Sequence, residues 1–226
     1  MYFDSTFLLL IPGILLALWA QMRVKGTYEK YSKVISNFPG SAAQAAQKIL
    51  DDSGNDRVRV QPTQGMLTDH YDPRNETLNL SEGVYSSNSV AALGIAAHEA
   101  GHAMQKKDGY ALLNLRTAVV PVVNIGSSLS LPIFILGFAL SFEPLVTIGI
   151  ILFSLTVVFA LITLPVEFNA SKRAVEMLNN SGIITSQQEE QGVKKVLNAA
   201  AMTYVAAAVS AILQLVRLIL LRRRND

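Results

Sequence analysis

Four long apolar stretches limit what this chain can fold into. An α-helix needs about 20 mostly apolar residues to cross the hydrocarbon core of a bilayer. Four windows reach or approach that length: Phe7–Met22, Ala118–Leu140, Leu145–Val166 and Val196–Val216. Only 16% of the 226 residues are charged, whereas soluble domains carry about 25%. The sequence therefore predicts an integral membrane protein with three or four transmembrane helices.

The basic residues predict how these helices are oriented. None precedes the first window, and Arg23 follows it directly, which favours an uncleaved anchor whose N-terminus is outside. The second and third windows are joined only by Ser141–Pro144 and form a predicted helical hairpin. The polar segments on either side of the hairpin then share the cytoplasmic side. The fourth window stays open, because a crossing would place Arg222–Arg224 outside, against the positive-inside bias.

The polar segment after the first window has the pattern of a small α+β domain. Ser41 and Ser89 are predicted to be N-caps of two helices. Between them we expect two short strands, one ending at Pro62 and one running through Leu78 and Leu80. If the second strand lies at a sheet edge, it can align a peptide substrate by strand addition.

The second predicted helix contains the sequence HEAGH, from His98 to His102. Residues four apart lie on one helical face, about 5–6 Å apart, so the two imidazoles can hold one metal ion. Glu99 is suited to act as a general base on a water molecule at that metal. Since the chain has no cysteine, the other ligands must be histidine, carboxylate or backbone oxygen. The alternative is a structural helix that carries these side chains by chance, but unpartnered polar groups on an apolar face are costly.

Catalytic zinc usually takes three protein ligands and a water, so the motif lacks one ligand. The candidates are His70, Asp108, Glu143, Glu167 and Glu176. Glu143 is predicted to lie outside, and Asp108 is too close to the motif in sequence. Glu167, the first charged residue after the third window, is the best placed of these candidates. His70 and Glu176 are the next best.

Two resemblances bear on this choice. HEAGH followed much later by EFNASKRA resembles the gluzincin pattern of HtpX-type membrane proteases, in which a ligand glutamate opens a helix. The chain is more similar to the YugP-type neutral zinc metallopeptidase family of bacterial membranes. That similarity runs through LTDHYDP, AALGIAAHEAGHAMQ, VVPVVNIGSS and LPVEFNASKRA. It implies one Zn²⁺ held by His98, His102 and Glu167, with Glu99 as the catalytic base.

The chain departs from the HtpX-type pattern at two points. Ser171 stands where that pattern has an aspartate, so a side chain that could orient a ligand histidine carries no charge here. No histidine follows His102, so another group must stabilise the oxyanion. His70 and Tyr110 are candidates, as are Tyr71 and Tyr85. His70 has a simpler interpretation as part of an Asx-rich turn.

The expected fold is therefore a mainly α integral membrane protein with a zincin-like α+β metalloprotease domain that contains a small sheet. Five segments are expected: a transmembrane anchor at 1–24, a cytoplasmic zincin-like domain at 25–116, a transmembrane hairpin at 117–166, a cytoplasmic helix with the third ligand at 167–195, and a fourth membrane-spanning or membrane-associated helix at 196–226.

The expected function is hydrolysis of peptide bonds in polypeptide or membrane-protein substrates, at the cytoplasmic face of the cell (inner) membrane. The alternative is a non-catalytic zinc-binding scaffold or adaptor, which would not need Glu99. A transporter is disfavoured because few ionisable residues lie within the windows. The net charge of only +2 gives no indication of a nucleic-acid partner.

Overall fold

A computed structural model describes residues 5–223. Seven α-helices and three strands follow a short 3₁₀ segment in this range. The bounds are 3₁₀ Ser5–Leu10, α1 Ile11–Tyr31, α2 Ala42–Asp52, β1 Arg59–Thr63, β2 His70–Asp72, β3 Thr77–Ser81, α3 Glu82–Tyr85, α4 Val90–Lys107, α5 Ala111–Ala139, α6 Glu143–Asn180 and α7 Gln187–Arg223.

The described residues form two compact units. The first unit contains those up to Gln21, Asn114–Pro165 and those from Met202 onward. The second contains Met22–Leu113 and Val166–Ala201. Helices α1, α5, α6 and α7 each contribute residues to both units.

The first unit is built from membrane-type helices. Four helices within 5–223 are long and apolar enough to cross a bilayer: Thr6–Tyr31, Ala111–Ala139, Glu143–Asn180 and Gln187–Arg223. Large apolar side chains on them are exposed, as for Ile125 at 64%, and exposed apolar side chains suit a lipid environment. The chain is therefore a mainly α membrane protein, as predicted. The fourth helix, which the sequence left open, meets the same length and composition criteria as the other three.

Two cationic side chains near the end of α7 have partners within this first unit. Arg222 forms an ion pair with Glu143 at the start of α6. The Arg217 guanidinium lies 3.8 Å from the centre of the Phe7 ring. Arg222, one of the charges that counted against a crossing of the fourth helix, is thus paired with a carboxylate.

The sheet of the second unit has the strand order β1-β3-β2. β1 runs parallel to β3, with Val60 opposite Leu78, and β2 runs antiparallel to β3, with Tyr71 opposite Leu78. All five residues of β3 are buried. The hypothesis that the strand through Leu78 and Leu80 is an edge strand is therefore wrong: it is the central strand, and the backbone edges belong to β1 and β2.

Pro62 lies inside β1 rather than at its end. Proline has no N–H to donate, so it is tolerated on an edge strand, where one side of the backbone needs no partner. β1 is such an edge strand in this sheet.

Helices α2 and α4 pack in the core of the second unit, and both begin where predicted. Ser41 accepts a hydrogen bond from the Gln44 amide, and the Gln44 side chain accepts one from the Ser41 amide, which completes a capping box. Ser89 accepts from the Ala92 amide at 3.2 Å. Their apolar faces, including Ile49 and Leu93, are fully buried.

α6 differs from the expectation in one respect that affects the site. Glu167 does not open a helix, because α6 is continuous from Glu143 to Asn180 and contains Pro165. Proline is tolerated inside membrane helices where neighbouring groups satisfy the freed carbonyl. The expected boundary between residues 166 and 167 therefore falls inside a single helix, and the division between the two units lies one residue earlier, between Pro165 and Val166.

Candidate metal centre

Small residues on α4 let the two ligand-bearing helices approach closely. Gly101 lies within HEAGH, and a Cβ placed there would stand 2.7 Å from the Ala170 carbonyl oxygen of α6. That distance is shorter than real Cβ contacts, so only glycine fits at this position. Ala97, Ala100 and Ala170 are also fully buried. The close approach brings Glu167, one turn before Ala170, up to the histidines of α4.

Three donor atoms converge at this point. The Nε2 atom of His98 lies 3.2 Å from Oε2 of Glu167, and Nε2 of His102 lies 3.5 Å from the same oxygen. The two imidazole rings are nearly perpendicular, with centroids 4.8 Å apart. The Glu167 side chain is only 2% exposed. Among the described residues, these three form a group that could hold a metal ion.

The two distances from Glu167 to the imidazole nitrogens fit zinc. Ligand atoms about 2.1 Å from a zinc ion at the tetrahedral angle lie about 3.4 Å from one another. The two distances from Glu167 Oε2, 3.2 and 3.5 Å, lie on either side of that value. Two imidazole nitrogens and one carboxylate oxygen are also a donor set of the kind found in catalytic zinc sites, which leave one position open.

Glu99 is held by the edge strand next to α4. Its Oε2 accepts a hydrogen bond of 3.0 Å from the backbone N–H of Tyr71 in β2. A hydrogen bond from a backbone amide to one carboxylate oxygen fixes the side chain. It still leaves the second oxygen to receive a proton. Sequence reasoning missed this contact, because it treated His70–Asp72 as part of a turn, and a backbone donor has no residue type to reveal it.

The backs of the two imidazoles have different partners. Ser171 Oγ lies 3.2 Å from Nδ1 of His98. Gln105 Oε1 lies 3.0 Å from Nδ1 of His102. Gln105 was missed in the sequence, although its position three residues after His102, on the same helical face, is a usable signal.

His70 and Tyr110 make hydrogen bonds to residues other than the three donors. His70 is exposed, with Nδ1 2.8 Å from the Thr68 carbonyl oxygen and Nε2 3.3 Å from Asn79 Nδ2. Tyr110 follows the end of α4, where its backbone N–H donates to the Gln105 carbonyl at 2.9 Å.

The acidic alternatives to Glu167 have partners elsewhere. Asp108 Oδ2 accepts from Arg173 at 2.5 Å. Glu176 lies 3.7 Å from Lys172 on the exposed side of α6. Glu143 is paired with Arg222 in the first unit.

Several titrating groups in this region have shifted pKa values, among them His102 and Asp69. Burial on its own would lower the pKa of His102, but the hydrogen bond to Glu167 and the charges of Glu99 and Glu167 outweigh it, so the pKa is raised. Burial raises the pKa of Asp69 despite hydrogen bonds from Ser81, and the negative charge of Glu99 adds to the rise. Asp69 precedes β2 and binds the Ser81 amide at 2.8 Å, so it ties this strand to the end of β3.

Comparison with known proteins identifies the family of the chain. The family described as "Putative neutral zinc metallopeptidase" matches residues 6–223. The chain is 46% identical over 213 residues to "Putative membrane protease YugP" of Bacillus subtilis (strain 168), covering 94% of each chain. No solved structure matches the chain. The chain belongs to this family of zinc metallopeptidases.

Proposed function

We propose that this protein is a membrane-embedded zinc metalloendopeptidase with one Zn²⁺ held by His98, His102 and Glu167. The observation that supports this most strongly is that the Nε2 atoms of His98 and His102 lie 3.2 and 3.5 Å from the same Glu167 oxygen, beside a glutamate fixed by a backbone amide. Family membership supports the reaction class.

A bound zinc ion supplies Lewis acidity toward a water molecule and toward the scissile carbonyl. Glu99 is the general base: its carboxylate takes a proton from the attacking water and delivers it to the departing amine. The Tyr71 N–H holds one carboxylate oxygen during this transfer, so the free oxygen is the one that moves the proton. No covalent bond forms between substrate and protein.

Three further side chains have proposed roles. Ser171, behind His98, orients that ring. His70 and Tyr110 are the candidates for stabilising the oxyanion. Both nitrogens of His70 face partners in the structure, so His70 must change its hydrogen bonds in order to donate.

We propose the cytoplasmic side of the cell (inner) membrane as the location of the active site and a polypeptide or membrane-protein substrate. Basic residues after the first apolar window and after Glu167 support the orientation, including Arg23, Lys172 and Lys194. The five segments given above, with the helices continuous across their boundaries, are part of this proposal.

The test compares the native protein with Glu99→Gln, purified in detergent micelles. Zinc content and cleavage of casein are measured for each. Loss of general-base catalysis costs about 10²–10⁴-fold in rate, so we expect cleavage to fall by that factor with zinc still bound. Glu176→Gln, on the exposed side of α6, is the matched control and should cleave at the native rate.

Two outcomes would contradict the proposal. If Glu99→Gln cleaved as fast as the native protein with zinc intact, Glu99 would not be the base. If the native protein bound zinc but cleaved neither casein nor membrane-protein substrates, the non-catalytic scaffold would be the better description.

A further inference from the structure

Gln105 is a fully buried amide in the second unit, one turn beyond His102 on α4. A buried side-chain amide needs partners for its oxygen and for both N–H groups. All three are satisfied in the structure. Gln105 Oε1 lies 3.0 Å from His102 Nδ1, and its Nε2 lies 2.8 Å from the Val166 carbonyl oxygen and 2.9 Å from Asn169 Oδ1.

The surroundings determine which end of the amide faces the imidazole. A backbone carbonyl such as that of Val166 can only accept, so the amide nitrogen must point toward it. Asn169 gives the same result independently. The Arg173 guanidinium, which can only donate, lies 2.9 Å from the same Asn169 atom, so that atom is the oxygen. The oxygen of Gln105 is therefore left facing His102.

This orientation has a consequence for the imidazole. An amide oxygen only accepts, so Nδ1 of His102 must carry the proton. The lone pair of the neutral ring is then on Nε2, the nitrogen that faces Glu167 at 3.5 Å. A ring nitrogen must be unprotonated to bind a metal.

Gln105 also contacts α6, the helix that carries Glu167. Val166, whose carbonyl accepts from Gln105, directly precedes Glu167. Asn169 lies on the same turn of α6 and is held in turn by Arg173, which is paired with Asp108 after the end of α4. Gln105 thus links the ring of His102 to the backbone that carries Glu167.

We infer that Gln105 is a positioning residue, which sets the metal-binding tautomer of His102 and fixes the distance between His102 and Glu167. The inference rests on the proposed zinc site. It extends that site to a side chain that touches neither metal nor substrate. Outer residues of this kind typically change metal affinity by about 10–100-fold.

Two substitutions at Gln105 test separately its effect on the tautomer of His102 and its contacts with α6. Gln105→Met keeps the length of the side chain but removes the acceptor and both donors. Gln105→Glu keeps an acceptor for His102 Nδ1 and loses the donations to α6. We expect zinc affinity, measured by competition with a chelator, to fall about 10–100-fold in Gln105→Met and by less in Gln105→Glu. Gln47→Met, which removes an amide paired with Asp51 on α2, is the control and should bind zinc as the native protein does.

Two readouts distinguish positioning from mere packing. The visible spectrum of the Co²⁺-loaded protein reports ligand geometry and should change in Gln105→Met but not in Gln47→Met. The native zinc-loaded protein, labelled with ¹⁵N-histidine, should show His102 with a proton on Nδ1. With three histidines in the chain, His70→Gln removes the signals of the one histidine outside the proposed ligand set. This measurement needs no Gln105 variant, so it remains decisive if those variants fail to fold.

The outcomes separate this inference from the proposed function. Zinc affinity of Gln105→Met within about threefold of native, or a His102 bound through Nδ1, would overturn the role of Gln105 and leave the protease intact. A native protein without zinc would overturn both. Native zinc binding without cleavage would overturn only the protease, since tautomer and affinity are measured without substrate.

Discussion

His98 and His102 face the same carboxylate oxygen but are held differently from behind. His102 has the fully buried amide of Gln105, whose polarity is fixed by Val166 on α6. His98 has the hydroxyl of Ser171, which can donate or accept. One ring is therefore prepared for metal by the protein, while the other can adopt its tautomer when the metal binds. The two rings are thus alike at Nε2, which faces Glu167, but differ in the partner of Nδ1.

Removal of the carboxylate that both rings share should have the largest effect. Glu167→Ala takes away the atom that lies 3.2 Å from His98 and 3.5 Å from His102. We expect zinc affinity to fall by more than about 100-fold, beyond the 10–100-fold typical of outer residues. Chelator competition measures it, and Glu176→Ala is the control. Near-native affinity in Glu167→Ala would mean that the third ligand lies elsewhere.

Metal removal should affect both rings together and appear as lost stability. A ligand present at 1,000 times its Kd stabilises the folded state by about 4 kcal/mol. We expect the unfolding midpoint in micelles to drop on dialysis against a chelator and to recover on return of zinc. Glu167→Ala should show little further loss when treated in the same way. An unchanged midpoint for the native protein would indicate that zinc does not bind the folded chain.

Substitutions at Ser171 should sharpen the difference between the two rings. Ser171→Ala should weaken zinc binding by only a few-fold, less than Gln105→Met, because the hydroxyl does not fix the tautomer of His98. Ser171→Asp introduces a group that only accepts, so zinc affinity should rise by up to about 10-fold. Ser86→Ala, directly after α3, where the hydroxyl donates to the Glu82 carbonyl, is the control. If Ser171→Ala weakened zinc binding more than Gln105→Met, then Ser171 would hold its histidine more firmly than Gln105 does, contrary to this interpretation.

The smallest effect concerns the pH dependence of the metal-free protein. The pKa of His102 is raised because its interaction with Glu167 outweighs burial. A group whose folded pKa is raised adds stability that is fully present below the unfolded value, about 6.5 for histidine, and is lost as pH rises through the folded value. The free energy of unfolding of the metal-free protein should therefore fall as pH rises from the unfolded to the folded pKa of His102. The fall should be shallower in His102→Gln and unchanged in His70→Gln, and equal slopes in all three would contradict the assignment.

Part of the fold and of the site is encoded in local sequence. The i, i+4 spacing of His98 and His102 places two rings on one helical face wherever the helix lies. Ser41 and Ser89 mark helix starts because their side chains bond amides three residues on. The membrane class follows from the length of the apolar windows. Each of these features depends only on residues close together in the sequence.

The remaining features depend on contacts between distant segments. β2 has three residues and exists through its pairing with β3, so no periodicity reveals it. The resemblance implied a helix that begins at Glu167, yet α6 runs through this residue without a break. The partners of Gln105 on α6 are 61 and 64 residues away, and only the folded structure shows that the amide has a single orientation.

The sequence separation within the candidate site has a consequence for biosynthesis. Glu167 is 69 residues downstream of His98, and the helix Ala111–Ala139 and the first part of the helix Glu143–Asn180 are synthesised between them. At about 5–20 residues per second, a ribosome needs roughly 3 to 14 s to make that stretch. During this interval the nascent chain carries both histidines and Glu99 without the third donor. On the proposed ligand set, the metal site is completed only after the hairpin has been made, so the unfinished chain lacks a complete catalytic centre while it is being inserted into the membrane.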